Sequence, residues 1–473
     1  MCAALGLCCS AALGQTFENT NVQRYQRQLE QIQQQTTLLA NPAVPIGQRA
    51  LLDYGAYTTI SYLSLDDNNR DNHGLRQYDL IGYARLNIDD VQELYARGRL
   101  SWLDFNPGDS FDGNGDKFEG RLERAYYRFD LSKAKAAYNG QNVNYDAALQ
   151  GGRQLVYWGN GLSLVQTLDA VVGVVKYKTV DLQMLAGVTP ADTIDVDSSR
   201  PGFDNNTHRG FYGAMLSKEI GEHRPYLYFL SQQDYNHSDS KVVGPTITHY
   251  NYNSYYLGLG SNGTIGDRLS YGLELVYEGG HGLSNGFTTD GGSFSQAVQT
   301  EEQIQAFAGD FRLDYVLDDI HKTRFSAESF FATGDDDRLN STNTFGGNKS
   351  GTKDTGFVGF GQLNNGLAFA PSISNIMAVR FGASTFPLQQ STWTSQMQTG
   401  VDLFFFGKVN DAGGIDEPSK NKGYLGFEPD IFVNWQVRSD VTLALRYGLF
   451  FPGPGLVDHA TRQFLYGGVT FAF

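Results

Sequence analysis

Arginines recur at even spacings inside stretches that alternate apolar and polar residues. Arg97 and Arg99 stand two apart and Arg124 and Arg128 four apart. Arg85, Arg312, Arg324, Arg380 and Arg446 each sit inside a stretch of the same kind. In an extended strand, residues two and four apart share a face. A guanidinium fork binds a carboxylate bidentately, so a row of forks on one face is a chemistry for holding or passing acidic groups. Lys176 and Lys178 extend the set. Acids fall on the same faces: Asp79, Glu274, Glu278, Asp310, Glu328, Asp402, Glu428 and Asp430.

Two accounts of these charges compete. They can pair across neighbouring strands and stiffen a wall, as Glu274, Asp310, Arg312 and Arg324 on consecutive strands would. They can instead form a cationic lane, since rings of charged side chains set the selectivity of a pore. Arg97 with Arg99 and Arg124 with Arg128 lie on adjacent strands. Strict alternation leaves only Glu93 and Asp130, at the turn ends, on their face. That cluster is expected to be the lane.

Other chemistry is sparse. Asp112, Asn114 and Asp116 alternate in a glycine-rich loop, as oxygen ligands of calcium do, with Glu123 placed to close the site. Lys117 stands where a helix-flanked calcium loop needs glycine, so solvated loop acids are the competing account. Loop-bound calcium is the one cofactor candidate. The eight histidines are scattered at loops and strand ends. No nucleophile stands beside one, which is evidence against a barrel hydrolase. The three cysteines are Cys2, Cys8 and Cys9.

The elements that must position the arginines are strands. From residue 46 the pattern has period two. Strands are expected at 50–64, 73–88, 92–105, 118–130, 144–156, 172–178, 180–189, 207–219, 223–234, 246–261, 268–279, 301–317, 322–333, 376–386, 391–407, 424–437, 441–451 and 463–473. That is about eighteen, an even number of lengths able to cross a bilayer when tilted. Short turns alternate with long polar loops, the asymmetry of an outer-membrane barrel with both termini periplasmic. The connection at 131–143 breaks the alternation, and the strand at 172–178 is short. The intervening stretch Tyr157–Ala170 is apolar for a loop. It either folds into the barrel and narrows it or packs on its neighbours.

The last stretch, Gln463 to Phe473, alternates without charge and ends on an aromatic residue. An open edge of that kind invites aggregation, whereas a closed barrel pairs its last strand with its first. In the penultimate strand Val441, Leu443, Leu445, Tyr447, Leu449 and Phe451 share a face opposite Arg446. A sandwich of this many half-charged strands would bury unpaired charge at prohibitive cost. A wide, wet lumen removes that difficulty. The fold class is therefore an all-β transmembrane antiparallel barrel at 46–473, with a short helix before it.

Residues 1–14 are small and apolar and read as a secretory signal truncated at its start. Residues 15–45 hold a coiled-coil-like helix and linker. At 19–40, Val22, Tyr25, Leu29, Ile32 and Leu39 follow a three-four spacing. That piece is a candidate for oligomerisation or for a periplasmic partner, or it is a spacer at the barrel mouth. The net charge of −15 resides largely in loops and turns, and does not report the sign of the lumen. Nothing points to nucleic acid.

The chain resembles the alginate-export outer-membrane porins. Gly152-Arg153-Gln154 followed by Tyr157-Trp158-Gly159 is similar to their Gly-Arg-Gln motif with a downstream aromatic and glycine. Glu123-Arg124-Ala125-Tyr126 is similar to their Glu-Ala-Tyr strand with Arg124 inserted. Ala332 to Asp337, with Phe345 in the loop beyond, is similar to their acidic strand end. Tyr447-Gly448 and Phe451-Pro452-Gly453 are similar to the penultimate strand and its loop. The resemblance implies an eighteen-stranded barrel in the outer membrane and an arginine-lined conduit for a polyuronate such as alginate. It adds Arg153 to the lining. Alternation puts Arg153 on the face of Leu149, so it fits only if Gly151-Gly152 forms a bulge. The expectation is a passive channel for an anionic glycan or small anions. A general diffusion porin, and a closed barrel for adhesion, remain as alternatives.

Overall fold

The computed structural model describes residues 50–473 apart from 69, 108, 110–115, 192, 197–199, 201–206, 237–239, 244–245, 291–292 and 339–346. The signal segment, the coiled-coil piece at 19–40, Asp112, Asn114 and Phe345 lie outside the described residues.

The alternating stretches form strands that close into one antiparallel barrel. In chain order they are β1 Leu51–Asp66, β2 Asn72–Ile88, β3 Gln92–Phe105, β4 Lys117–Asp130, β5 Tyr145–Trp158, β6 Leu164–Tyr177, β7 Val180–Val188, β8 Arg209–Lys218 and β9 His223–Asp234. After a small hairpin, β10 Ser240–Val243 and β11 Thr246–His249, come β12 Asn251–Ile265 and β13 Leu269–Leu283. Two further loop strands, β14 Gly286–Asp290 and β15 Ser293–Gln296, precede β16 Glu301–Val316 and β17 Arg324–Ala332. Then follow the loop strand β18 Asn348–Lys349 and the wall strands β19 Ile376–Thr385, β20 Met397–Gly407, β21 Tyr424–Arg438, β22 Val441–Pro452 and β23 Arg462–Ala472. Eighteen of these make the wall. The last strand pairs with the first from Tyr57↔Ala472 to Leu65↔Phe464. Phe473 and Ala56 exchange both backbone hydrogen bonds at 2.9 Å, so no edge is left open.

The alternation decides which way each side chain points. Leu445, Phe451, Leu465 and Phe471 are exposed on the outside, where lipid would cover them, while Tyr466 and Phe464 on the other face are buried. At the short-turn end Trp393 and Trp435 meet edge to face at 5.0 Å, as in an interfacial aromatic girdle.

The irregular connection at 131–143 is a helix, α1 Leu131–Asn139. Asp130 caps it by accepting from the Lys133 backbone N–H at 3.0 Å, and Gly140 ends it at φ 63°. Lys133 and Tyr138 reach Asp90 and Asp89 of the β2–β3 turn, so the helix lies across the short-turn end.

The lumen is not wide and wet throughout. Strand β6 begins at Leu164, well before the expected 172, so Tyr157–Ala170 is the top of a β5–β6 hairpin rather than a loop. Lys178 falls in the turn after that strand. Strand β4 pairs with β5 only up to Arg153, and β7 pairs with β6 only from Asp169. Beyond those points the hairpin has no wall neighbour and bends inward. A second inward element is the connection after β17. Its Phe360 makes a parallel bridge with Leu164. Around them Trp158, Leu162, Phe357, Phe369, Phe404 and Phe450 are essentially without solvent exposure. This apolar core fills the long-loop half of the barrel, each buried phenylalanine contributing about 1.5–3 kcal/mol. Charges still face inward there, but as buried ion pairs such as Arg209 with Asp195 and Arg462 with Glu417, so a charged face lines a lumen only in the short-turn half.

Candidate functional site

The expected lining arginines all belong to wall strands, in their middle or toward the short turns, below the apolar core. Most are compensated. Arg85 lies 3.0 Å from Asp53, Arg324 lies 2.5 Å from Asp314, and Arg312 lies 2.7 Å from Glu328. Arg380 lies 2.6 Å from Glu328 and 3.5 Å from Asp402. Lys176 is held by Glu219 at 2.7 Å. Pairing across strands thus accounts for this side of the wall.

The Arg97–Arg99 cluster is also paired, against the expectation. The β3–β4 register slips between Arg97↔Arg124 and Gly98↔Leu122, leaving Glu123 as the extra residue of a bulge. The bulge turns Glu123 inward, 2.6 Å from Arg97 and 3.2 Å from Arg99. All three side chains are almost fully buried. Strict alternation had put Glu123 on the outer face. The signal that could have found it is Arg124, the extra residue in the Glu-Ala-Tyr pattern.

Among the described residues, Arg124, Arg128 and Arg446 have no carboxylate at ion-pair distance. Arg128 opens into a cleft of about 350 Å³ at the short-turn mouth, which it shares with Arg85 and Lys133 and with the acids Asp90, Glu93 and Asp130. Arg446 stacks over Phe432 at 5.3 Å and donates to Asn434 Oδ1 at 2.7 Å. Its strand β22 is separated from β4 by β23, β1, β2 and β3 around the barrel.

The bulge on which a lining place for Arg153 depended is absent. The β5–β6 register runs unbroken through Gly151 and Gly152. Gly152 instead takes φ 128°, just where the hairpin leaves the wall. Arg153 donates to both oxygens of Asp169, at 2.8 and 2.9 Å, and to the Leu122 carbonyl at 3.3 Å. It clamps the base of the inward hairpin.

The acids of the inner face do something sequence reasoning missed. Glu274 accepts from the Asn160 backbone N–H at 2.8 Å and from the Tyr228 hydroxyl at 2.7 Å. Glu278 accepts from the Val358 backbone N–H at 2.8 Å and from Tyr252 and Tyr256. Glu428 accepts from three successive N–H groups, those of Leu367, Ala368 and Phe369, at 2.5 to 2.9 Å. Wall glutamates thus hold the two inward segments by the backbone donors that an irregular buried chain must satisfy. Nothing local in the sequence marks which loop a given strand residue will meet.

Of the expected calcium-loop ligands only Asp116 and Glu123 are among the described residues. Asp116 accepts from the Phe105 backbone N–H at 3.3 Å, across the top of the β3–β4 hairpin. Glu123, expected to close the site, is committed to Arg97 and Arg99. Among the described residues a different carboxylate group, Asp335, Asp336 and Asp337, comes together, but Asp335 already accepts from the Asp337 and Thr355 backbone.

The sequence profile of the alginate export family matches residues 63–467. No curated protein matched the sequence. Among solved structures, Pseudomonas aeruginosa OpdK with vanillate superposes with a TM-score of 0.53 at 13% identity, over 89% of this chain and 98% of that one. OccK1 (OpdK) gives 0.52 at 12%, over 89% and 98%. OccK11 (OpdR), from the same organism, gives 0.51 at 11%, over 89% and 96%. At such identities the likeness is one of fold.

Proposed function

The chain belongs to the alginate export family and is an outer-membrane β-barrel of porin type, and on that footing we propose that it passes anions, foremost an anionic polysaccharide such as alginate or a related polyuronate. The observation that carries this reading is the set Arg124, Arg128 and Arg446, inner-wall guanidinium groups without a carboxylate partner among the described residues. A carboxylate moving past them would exchange its counterion for a bidentate contact and then for the next one. Flow is passive, down a gradient. The first strand begins and the last strand ends at the end that carries the short turns and α1, and that end faces the periplasm, as in barrels with short periplasmic turns.

The compensated arginines favour a second reading, a general diffusion porin whose charges mainly stiffen the wall. The reversal potential of the purified protein in a planar bilayer under a salt gradient separates the two. A shift toward the chloride potential, with saturable block by oligouronates, is expected. A shift toward the cation potential would overturn the anionic reading. Weak selectivity without block would leave the general porin.

A further inference from the structure

Below the apolar core, two clefts of about 330 Å³ each follow the wall and share Asp314. One runs beside β12, β13 and the tip of the inward hairpin, the other beside β17 and β19–β22. The charges along them are largely spent on one another: Arg312 on Glu328, Arg324 on Asp314, Arg380 on Glu328 and Asp402. What remains for a ligand is a belt of side-chain amides, Asn160, Asn262, Asn364, Gln398 and Asn434.

Four of these amides are wired in two separate links. Arg446 donates to Asn434 Oδ1 at 2.7 Å, Asn434 Nδ2 to Gln398 Oε1 at 3.3 Å, and Gln398 Nε2 to Ser384 Oγ at 3.3 Å. On the other cleft Asn262 Nδ2 donates to Asn160 Oδ1 at 2.9 Å. An amide carries two donors and two acceptor sites. Each linked amide of the Arg446–Ser384 chain spends one of each and keeps one of each. An adjacent donor and acceptor on one rigid plane match the vicinal hydroxyls of a sugar. None of the five is fully buried, so all are open to a ligand in the lumen.

We propose that this amide belt binds the hydroxyls of a glycan chain, so that the channel recognises a sugar backbone independently of its charge. The inference rests on reading the chain as a glycan channel, and it extends the substrate class to neutral or sparsely charged oligosaccharides. Arg446 adds a carboxylate contact at one end of the belt only.

The test is single-channel block of the full chain in planar bilayers, with maltohexaose as the neutral probe and a hexauronate as the charged one. Maltohexaose is expected to block, with an affinity changed less than about twofold between low and high salt, because no ion pair is screened. Gln398→Leu and Asn434→Leu should each weaken that block about fivefold, the value of one net hydrogen bond. Asn262→Leu, on the other cleft, serves as the second variant should either fail to fold. Block by hexauronate alone would overturn the amide belt and leave the anion channel standing. Block by maltohexaose alone would overturn the anion reading and leave the belt. No block by either would overturn both, as would maltohexaose block untouched by all three variants for the belt.

Discussion

Leu164 of the inward hairpin and Phe360 of the β17–β19 connection form a β-bridge inside the barrel, with Val165 N–H donating to Phe360 C=O at 2.9 Å and Phe360 N–H to Ser163 C=O at 3.0 Å. Two segments far apart in sequence thus share one short ladder in the lumen. Beside it, a Cβ on Gly361 would stand 2.0 Å from the Gly161 carbonyl oxygen and 2.2 Å from that of Leu162, both backbone atoms with little freedom to retreat. Gly361→Ala should therefore part the two segments, at about 1–3 kcal/mol. Single-channel conductance should rise at least twofold. An unchanged conductance would mean that this ladder does not limit the pore.

Glu428 holds the second segment by three backbone N–H groups. Glu428→Leu leaves those donors buried without an acceptor, at about 1–3 kcal/mol for each. Amide exchange at Leu367, Ala368 and Phe369 should accelerate at least tenfold while β1 and β23 keep their protection. Equal protection in variant and parent would show that packing alone seats the segment.

Glu123 sits between Arg97 and Arg99 and offsets one of their two charges. Glu123→Gln removes the charge but keeps the shape, so both guanidinium groups lose this carboxylate in a nearly dry site. Breaking a buried pair in this way costs roughly 3–5 kcal/mol. In barrels that still fold, chloride permeability relative to potassium should increase, on the order of twofold. The salt-gradient reversal potential reads the change. An unchanged potential would place the cluster outside the conduction path, and a shift toward potassium would overturn the predicted sign.

Gly152 turns the hairpin off the wall at φ 128°, and a Cβ there would sit 2.2 Å from the Ala125 carbonyl oxygen. Gly152→Ala combines a left-handed backbone with a clash against β4. The heat-modifiable folded band on a gel should be lost or should convert at a lower temperature than in the parent. A parent-like band would mean that the hairpin can leave the wall without this glycine.

The barrel was legible because its signal is local. A period of two assigns each side chain to a face without knowledge of its neighbours. Leu445 and Phe471 outside, Arg446 inside and the pairing of β23 with β1 all follow from it. The pairing of Arg312, Arg324 and Arg380 with acids on adjacent strands was one of the two readings left open, since register is almost implied by short turns. Helix α1 was missed because 131–143 stood out only as a connection too long for the alternation, although Asp130 and Gly140 are ordinary cap residues.

What the sequence by itself determined was the wall: the number and order of its strands, the faces of its residues and the closure. Only the tertiary structure decided what occupies the lumen. One inserted residue, Arg124, reversed the face of Glu123, and a strand pattern cannot record a slip that its partner makes visible. Tyr157–Ala170 kept strand character while losing its wall neighbours, which depends on how β4 and β7 end. Glu274, Glu278 and Glu428 look like any inward acids until the backbone N–H groups of distant loops arrive to meet them. Those contacts join residues separated by sixty to more than a hundred positions, such as Asn160 and Glu274. Local periodicity carries no information about such pairs, and the packing of the whole chain settles them.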